Sequence, residues 1–306
     1  MTQVITTVCS VPVTTLLAVD PAQILGVHQQ GRFDPTTRLE PGGFWRATLT
    51  PDGPGTVHLS WSQGSIAADA WGPGADWLMA GVPAMLGALD NAPVITPAHP
   101  AVTRALHNHP RLRLGHCRSL YHTMLPIIIG QRVTAREAFR SWSQLCRAAG
   151  RPAPGPARLT LPPEPDTIAR QPYWWFHRFG IERKRADALR TLAQRADLLA
   201  ALSLAGDPLA ARDKLRLLPG IGQWTIGSAL GPALGDPDAF AIGDYWLCHL
   251  VGKALEGTFR SSDERMVELL APYQGQRGRI VRLIGADGWS IERRGPGIRV
   301  LPIAQM

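Results

Sequence analysis

Residues 218–225 read Leu218-Pro219-Gly220-Ile221-Gly222-Gln223-Trp224-Thr225. Proline at 219 ends one helix, and the glycines at 220 and 222 allow backbone conformations that side chains disfavour. A second helix is predicted to begin near Gln223. Such a turn leaves backbone N–H groups bare at a helix N-terminus, where they attract an anion. The stretch therefore predicts a phosphate-binding hairpin between two helices.

Basic residues are concentrated on the same side of the chain as this hairpin. The 306 residues carry a formal net charge of +8. Residues 1–110 hold four arginines against seven acidic residues, a balance of −3, whereas residues 111–306 hold 28 basic against 17 acidic residues, a balance of +11. Only three basic residues are lysines. The positive electrostatic field of residues 111–306 favours a polyanion as partner. Arginine suits bidentate phosphate contacts, although genome composition also produces a preference for arginine over lysine.

Composition argues against several classes of protein. Hydrophobic residues make up 45% of the chain, which is ordinary for a globular protein with a core. We find no apolar run of the roughly 18 residues that cross a bilayer, and residues 1–20 lack the pattern of a secretory signal. We therefore expect a cytoplasmic protein with no membrane partner. The four cysteines stand far apart in sequence, which favours reduced structural thiols over a metal site.

A change of pattern along the chain predicts two domains. Residues 1–95 are rich in Gly, Pro and Trp and contain short strand-like runs, so we expect a small α+β domain with an antiparallel sheet. Its predicted strands are 11–18, 44–50, 56–61 and 65–71, with a helix over 77–89. Prolines at 93, 97 and 100 mark the crossing into an all-α domain of residues 96–306.

Helical periodicity and capping signals continue through the second domain. An apolar stripe ends at Gly130, and Thr134 has capping-box spacing to Glu137, so residues 131–133 are predicted to lie at a helix junction. The run 183–199 predicts one basic amphipathic helix whose exposed residues are Lys184, Arg185, Arg190 and Arg195. Further helix starts are predicted at Asp207-Pro208 and at Ser261 with Glu264. The aromatic cluster 174–177 predicts helix packing.

The hairpin resembles that of the helix-hairpin-helix DNA glycosylase superfamily. Within it, the chain is similar to the DNA-3-methyladenine glycosylase II type of an actinobacterial-like branch, whose hairpin reads Pro-Gly-Ile-Gly followed by Trp-Thr. The resemblance covers about residues 100–290 and implies an α+β N-terminal domain followed by an all-α glycosylase domain. It also implies duplex DNA with alkylated bases as partner, a nucleoid-associated location in the cytoplasm, and a monomer.

The resemblance assigns DNA contacts and an ion site to the hairpin. One phosphate would be bound at Gly220, Ile221, Gly222, Gln223 and Thr225 through backbone N–H groups. A monovalent cation, Na⁺ or K⁺, would be held by the backbone carbonyls of Arg216, Leu218 and Ile221. No other cofactor is implied, because the iron–sulfur cluster of some relatives needs four closely spaced cysteines that this sequence lacks.

Asp244 matches the catalytic carboxylate of these enzymes. It follows Thr225 by nineteen residues, in Ile242-Gly243-Asp244-Tyr245. Loss of a base from C1′ passes through a cation-like sugar, which a fixed carboxylate stabilises while it orients or deprotonates water. The alternative is that Asp244 only caps the helix predicted to follow it. Relatives that also cleave the strand carry a nucleophilic lysine where this chain has Trp224, so the resemblance implies hydrolysis without lyase activity.

The base pocket and the wedge are predicted from the same resemblance. Trp224 and Tyr245 match aromatic residues of the base pocket, and Gln131 at the helix junction and Ser228 are also expected to contact the base. Two positions depart from the family pattern: Ser228 stands in place of a tyrosine, and Gly285 in place of a tryptophan. Core packing is the alternative for the two aromatics. Arg132 stands where relatives place an apolar wedge that fills the gap left by a flipped base; the alternative is an exposed arginine in a turn.

These features predict a monofunctional DNA glycosylase that flips and hydrolyses alkylated purines of the 3-methyladenine and 7-methylguanine type. Cationic alkylated purines leave readily and stack on aromatic faces. Two alternatives stay open: a glycosylase for deaminated or bulky purines, and a non-catalytic helix-hairpin-helix DNA-binding protein.

Overall fold

A computed structural model describes residues 9–13, 19–62 and 65–291. In these ranges an antiparallel sheet precedes a series of helices, which confirms the predicted α+β and all-α organisation. The strands are β1 (Cys9–Val13), β2 (Thr37–Glu40), β3 (Gly43–Thr50), β4 (Gly53–Ser62) and β5 (Ser65–Trp71). The α-helices are α1 (Pro21–Leu25), α2 (Ala75–Met85), α3 (Pro100–Asn108), α4 (Leu120–Ile129), α5 (Ala135–Ala149), α6 (Pro165–Ala169), α7 (Arg183–Ala193), α8 (Ala196–Ala205), α9 (Pro208–Leu215), α10 (Gln223–Leu234), α11 (Leu247–Glu256), α12 (Asp263–Leu270) and α13 (Arg277–Ala286). Short 3₁₀ helices occupy Gly26–His28, Tyr173–Phe179 and Ala271–Tyr273.

The sheet has the strand order β1-β5-β4-β3-β2, with antiparallel neighbours. Three predicted strands correspond to β3, β4 and β5. The predicted strand over 11–18 corresponds to β1, which begins earlier, at Cys9. Residues 14–18 of that prediction lie outside the described ranges. Sequence patterning missed β2, because this strand is only four residues long and Leu39 is its one apolar residue. The two-residue turn Pro41-Gly42 joins it to β3, with Gly42 at a φ of +72°.

Among the described residues, four hydrophobic clusters organise the packing, the smallest of which consists of Ala47, Leu159 and Leu161. The sheet and α2 share one core, which includes Phe44, Leu59 and Val82. A larger cluster joins α4, α5, α7 and α10 around the fully buried Trp142. Helices α3, α11, α12 and α13 form the other helical cluster. The connection from α10 to α11, which carries Asp244, therefore runs between the two helical clusters.

Buried polar contacts attach the sheet to the helices. The Asp34 carboxylate accepts a 3.0 Å hydrogen bond from Trp142 Nε1 of α5. On α4, the His122 ring is hydrogen-bonded to Thr48 at 2.9 Å and to Thr36 at 3.2 Å. Burial in a low-dielectric interior strengthens such contacts, so they fix how α4 faces β3.

Several helix boundaries differ from the sequence predictions, including that of α2, which spans Ala75–Met85 rather than 77–89. The single helix expected over 183–199 divides into α7 and α8, because Arg195 leaves helical geometry at φ −112° and ψ 22°. The cap of α12 is Ser262 rather than Ser261, since Ser262 has the extended backbone of an N-cap and accepts a hydrogen bond from the Arg265 N–H. The capping box of Thr134 and Glu137 is confirmed.

The segment between α2 and α3 supports a division of the chain. Residues 91–98 contain neither helix nor strand and are mostly exposed. On this basis we propose the domain boundary between residues 95 and 96. In the described part of the chain, none of the helices has the length and apolar character that crossing a bilayer requires.

Candidate functional site

The hairpin joins α9 to α10. Asp207 caps α9, accepting hydrogen bonds from the N–H groups of Leu209 at 2.9 Å and Ala210 at 3.2 Å. After α9 ends, Gly220 takes a φ of +81°, and a Cβ built there would lie 2.7 Å from the Cβ of Ala188 on α7. Both the left-handed backbone and the close helix therefore require glycine at this position.

Gly222 was predicted to be glycine because of its backbone conformation, but the structure indicates that the open space beside it is the reason. Its φ is −94°, which other residues adopt, and a Cβ there would meet no atom within 4 Å. Gly222 and Gln223 are exposed, and Gly222 caps α10 without a side-chain hydrogen bond. The first N–H groups of a helix lack intrahelical partners and carry the positive end of its dipole. The space at Gly222 lets a phosphate approach these groups closely.

Gln131 links the α4–α5 junction to the hairpin. Its Nε2 donates to the Gly220 carbonyl oxygen and to the Thr225 hydroxyl, each at 2.9 Å. Thr225 is buried, at 1% exposure, in the first turn of α10. The predicted junction residue thus holds the hairpin backbone in place rather than projecting into open space.

Trp224 and Asp244 meet beside the hairpin. Trp224 Nε1 donates a 3.3 Å hydrogen bond to Asp244 Oδ2. Both side chains are half-buried, so the Asp244 carboxylate is accessible from solvent. Gly243 has a φ of +92°, and its Cβ position lies 3.9 Å from Trp224 Cβ. This turn directs the chain so that the carboxylate reaches the indole.

The second oxygen of Asp244 caps α11. Oδ1 accepts hydrogen bonds from the N–H groups of Trp246 at 2.9 Å and Leu247 at 3.0 Å. Helix α11 begins at Leu247 with Trp246 as its N-cap residue, so Asp244 precedes the helix and bonds its first N–H groups. Oδ1 thus has the capping role given above as the alternative, while Oδ2 is held by the hydrogen bond from the Trp224 indole. A carboxylate fixed in this way can stabilise a nearby cation and accept a proton.

Comparisons with known proteins identify the fold. No family model and no curated protein sequence matches the chain. The solved structure of 3-methyladenine DNA-glycosylase from Archaeoglobus fulgidus has a TM-score of 0.71 at 16% identity, covering 92% of this chain and 99% of that one. The Clostridium acetobutylicum 8-oxoguanine glycosylase/lyase in its apo-form has a TM-score of 0.65 at 12% identity, covering 90% and 95%. MBOgg1 in complex with a low-affinity DNA ligand has a TM-score of 0.64 at 14% identity, covering 92% and 95%.

The chain has the fold of a helix-hairpin-helix DNA glycosylase. The expected superfamily fold is thereby confirmed, with an N-terminal sheet and a helical region that carries the hairpin.

Two further residues predicted for the base pocket, Tyr245 and Ser228, differ in their exposure and contacts. Tyr245 is 69% exposed, and its ring contacts Trp246 and His249 edge-on, at centroid distances of 4.8 and 5.3 Å. It therefore lies at the surface and is not core. Ser228, one turn after Trp224, donates a 2.7 Å hydrogen bond to the Trp224 carbonyl oxygen.

Arg132 is exposed at the junction and has a φ of +58°. A left-handed backbone is unusual for a residue with a side chain and persists where the surrounding structure imposes it. Gln131, bonded to the hairpin, precedes it, and the capping box of α5 follows. The strained turn presents the Arg132 side chain outward, next to the hairpin.

Arg185 departs from its prediction as an exposed residue of a basic helix. Its side chain is buried, at 2% exposure, and its two terminal nitrogens donate to the carbonyl oxygens of Ile129 at 2.7 Å and Gly180 at 3.1 Å. Lys184 and Arg195 are exposed as predicted, and Arg190 is half-buried. Sequence reasoning treated the four as equivalent, because helical periodicity alone does not show which basic residue faces a neighbouring helix end.

A cavity of about 100 Å³ lies between the sheet and α4 and α10. Its lining is mainly polar side chains and prolines: Val27, His28, Gln30, Arg46, His122, Thr123, Pro126, Ile127, Ser228 and Pro232. Burial, together with the Arg46 guanidinium, holds the pKa of His28 and of His122 well below the usual value, so both rings are neutral at pH 7. The one sequence signal for this cavity is Arg46, an arginine on the buried face of β3 between Phe44 and Thr48.

The remaining predicted features concern thiols, ions and aromatic packing. Cys117, Cys146 and Cys248 are free and buried, and burial raises the pKa of the Cys146 and Cys248 thiols. At the hairpin, the Leu218 carbonyl oxygen accepts the Ile221 N–H at 3.1 Å. In the cluster 174–177, Phe176 is buried as predicted for packing, whereas Trp174 is 62% exposed.

Proposed function

We propose that this chain is a monofunctional DNA glycosylase of base excision repair. It hydrolyses the N-glycosidic bond of alkylated purines in duplex DNA and leaves an abasic site. The observation that carries the proposal is the hydrogen bond from Trp224 to Asp244 at the N-terminus of α10. It joins an aromatic face, a carboxylate and a phosphate-binding helix end within one site.

The reaction follows from this arrangement. The hairpin anchors the strand by a phosphate, and the damaged nucleotide leaves the stack so that its sugar lies beside Asp244. As the bond from C1′ to the base nitrogen breaks, its electron pair stays on the base and positive charge develops on the sugar, which Asp244 stabilises. Water then bonds to C1′ through its oxygen and passes a proton to the carboxylate.

Lysine chemistry does not fit this site. Strand cleavage through a Schiff base needs an amine nucleophile. The residue after Gly222-Gln223 is Trp224, whose indole cannot serve as one. Lys253, the next lysine along the chain, donates to the Ser290 carbonyl oxygen at 2.7 Å and lies over the Phe259 ring. We infer that water is the nucleophile.

Alkylated purines suit the half-buried indole of Trp224. Methylation at N3 or N7 gives the purine a positive charge, which favours stacking on an electron-rich ring and makes the base a better leaving group. Fixed capping and indole hydrogen bonds keep the Asp244 carboxylate in place for such substrates.

DNA binding is proposed at the exposed turn of Gly222 and Gln223, with Arg132 in the gap left by the flipped base. A monovalent cation on the carbonyls of Arg216, Leu218 and Ile221 would bring the same turn toward the phosphate. One chain holds the whole of this site, so we propose that a monomer acts.

Two other functions remain to be compared by experiment. One is a glycosylase for deaminated or bulky purines, which would share Asp244 and differ in the base pocket. The other is a non-catalytic DNA-binding protein, in which Asp244 would act only as the cap of α11.

One assay separates these functions, because release of hypoxanthine without either methylated base would favour a glycosylase for deaminated purines. Duplexes carrying 3-methyladenine, 7-methylguanine or hypoxanthine are incubated with the protein, and the released base is measured. We expect release of the methylated bases, an intact abasic strand, and loss of release by a factor of about 10³ or more in Asp244→Asn, since asparagine keeps the cap but removes the charge.

The matched control is Asp207→Asn, which makes the same change at the cap of α9. It should keep the wild-type rate. Full activity in Asp244→Asn would show that the catalytic assignment is wrong. Absence of release with every lesion, alongside tight binding to abasic DNA, would favour the binding protein.

A further inference from the structure

The cavity between the sheet and the helices begins one turn of α10 away from Trp224 of the proposed catalytic pair. Ser228 is four residues after Trp224 and Pro232 four after that, so all three lie along one face of α10. Ser228 and Pro232 line the cavity, and Trp224 bonds Asp244. A purine whose sugar lies at Asp244 would therefore extend along this face toward the cavity.

The mouth and the floor of the cavity differ in exposure. Half-buried residues, Val27, Gln30, Ile127 and Ser228, surround the mouth. The floor contains Arg46 and His28, which are 3% and 4% exposed. A cavity of about 150 Å³ holds benzene. At about 100 Å³, this cavity accepts one polar edge of a purine, with the rest of the ring at the mouth.

Two buried polar atoms at the floor have no protein partner among the described residues: Arg46 Nε and His28 Nε2. The other Arg46 nitrogens are engaged. Nη1 donates to the His28 carbonyl oxygen at 3.4 Å and to the Thr37 hydroxyl at 3.1 Å, and Nη2 lies 3.8 Å from Cys117 Sγ. A buried donor without an acceptor costs free energy, which a ligand that supplies an acceptor recovers.

The charge of the cavity also selects a ligand. The Arg46 contacts named above are a carbonyl, a hydroxyl and a thiol, so no carboxylate among them neutralises the guanidinium. The N–H of Arg46 Nε favours a carbonyl oxygen of the ligand as its acceptor. An exocyclic amino group of the ligand would instead place one N–H donor against another, so no hydrogen bond would form. Arginine makes this distinction when it reads guanine in DNA, through O6 and N7.

We infer that the cavity binds the 6-carbonyl edge of the excised base through Arg46 and His28, so that the enzyme releases 6-oxopurines in preference to 6-aminopurines. The inference deepens the proposed function and rests on it. Among alkylated purines it selects 7-methylguanine over 3-methyladenine, and it extends the substrates to hypoxanthine.

The same contact assists the departure of the base. When the glycosidic bond breaks, its electron pair remains on the base, which becomes more negative by one charge whether it began cationic or neutral. A guanidinium at O6 is therefore bound more strongly by the departing base than by the intact nucleotide, and it lowers the barrier. For hypoxanthine, the proton that Asp244 takes from water balances the charge when it is passed to the released base.

Wild-type selectivity is the first test. DNA treated with dimethyl sulfate supplies 7-methylguanine and 3-methyladenine together, and synthetic duplexes supply hypoxanthine and unsubstituted purine, which lacks the 6-oxygen. Rates are measured in single turnover and corrected for spontaneous loss. We expect each 6-oxopurine to be favoured by about tenfold or more over its counterpart. A preference for 3-methyladenine would overturn the inference.

Variants of the floor are the second test. Arg46→Met and His28→Phe should each bring the ratio of 6-oxopurine to 6-aminopurine release close to one. Arg38→Met is the control, because Arg38 lies on the adjacent strand β2 and does not line the cavity. If near-ultraviolet circular dichroism shows that Arg46→Met is unfolded, the release ratio of His28→Phe is used as the test. If both are unfolded, inhibition of the wild type by free hypoxanthine against free adenine decides.

The outcomes separate this inference from the proposed function. Release of methylated bases with the same ratio in the wild type and the folded variants would overturn the inference alone. Equal inhibition by the two free bases would do the same. Absence of release from every substrate would overturn the proposed function and the inference with it.

Discussion

The guanidinium of Arg185 donates a 2.7 Å hydrogen bond to the carbonyl oxygen of Ile129, the last residue of α4. Gly130 follows and then Gln131, which bonds the hairpin. Helix α7, which also packs against Gly220, thus fixes both the junction and the hairpin turn. Arg185, Gln131 and the packing of Ala188 against Gly220 together set the position of the hairpin relative to Arg132.

We expect Arg185→Met to destabilise the protein by about 1–3 kcal/mol, because it leaves the buried Ile129 carbonyl and the half-buried Gly180 carbonyl without this donor. The loss is measured as a lower midpoint of urea unfolding. Base release should fall as well, even when the variant is fully folded at the assay temperature. Lys184→Met is the control, since Lys184 is exposed on the same helix. Equal midpoints for the two variants would contradict the positioning role of Arg185.

The two hairpin glycines should respond differently to alanine. Gly220→Ala introduces a side chain at φ +81° and against Ala188, so we expect a loss of about 1–3 kcal/mol in the free energy of unfolding. Gly222→Ala meets no atom within 4 Å, so its cost should be smaller, about 1 kcal/mol or less, and should come only from alanine being a poorer N-cap than glycine. It should instead weaken binding to duplex DNA, because the methyl group blocks the approach of the phosphate. Denaturant unfolding and fluorescence anisotropy separate the two effects; a stability loss in Gly222→Ala equal to that in Gly220→Ala would be inconsistent with this assignment.

Local signals predicted most of the fold. Capping residues such as Thr134 and Asp207 act within one turn of their helix, so the sequence shows them directly. Alternation identified β3, β4 and β5 for the same reason. Strand β2 was missed because four residues, three of them polar, carry too little pattern, and its pairing depends on the turn at Gly42.

The candidate site was predictable only where its residues are close in sequence or match a motif. The hairpin and Asp244 belong to this group, although their contact through Trp224 needed the tertiary structure. Apart from the signal of Arg46 on the buried face of β3, the cavity also needed the tertiary structure, because His28, Arg46 and Ser228 come from a 3₁₀ helix, a strand and a helix that are separate in the chain. Burial of Arg185 likewise depends on the end of α4, which periodicity within α7 does not show.

Arg132 allows a test that separates backbone strain from its side chain. We expect Arg132→Gly to be more stable than Arg132→Ala by about 1 kcal/mol, because glycine relieves the left-handed backbone at φ +58°. Both variants should release base more slowly than the wild type while binding lesion-free DNA with similar affinity, as both lack a side chain to fill the gap. Unfolding curves and single-turnover rates measure the two effects. Wild-type rates in both variants would show that Arg132 is not the wedge.

Acid should destabilise the protein through its buried histidines. Burial and the Arg46 guanidinium lower the pKa of His122 well below 6.5, so the unfolded chain binds more protons than the folded protein below that pH. The stability from this histidine is complete above pH 6.5 and is lost as the pH falls below it, with a slope of at most about 1.4 kcal/mol per pH unit. His122→Gln should be less stable at pH 7, because it loses the contacts with Thr36 and Thr48, and should show a shallower decline between pH 7 and pH 5. Urea unfolding across this range measures the decline, with the exposed His107→Gln as control. An unchanged slope in His122→Gln would mean that His122 is protonated in the folded protein.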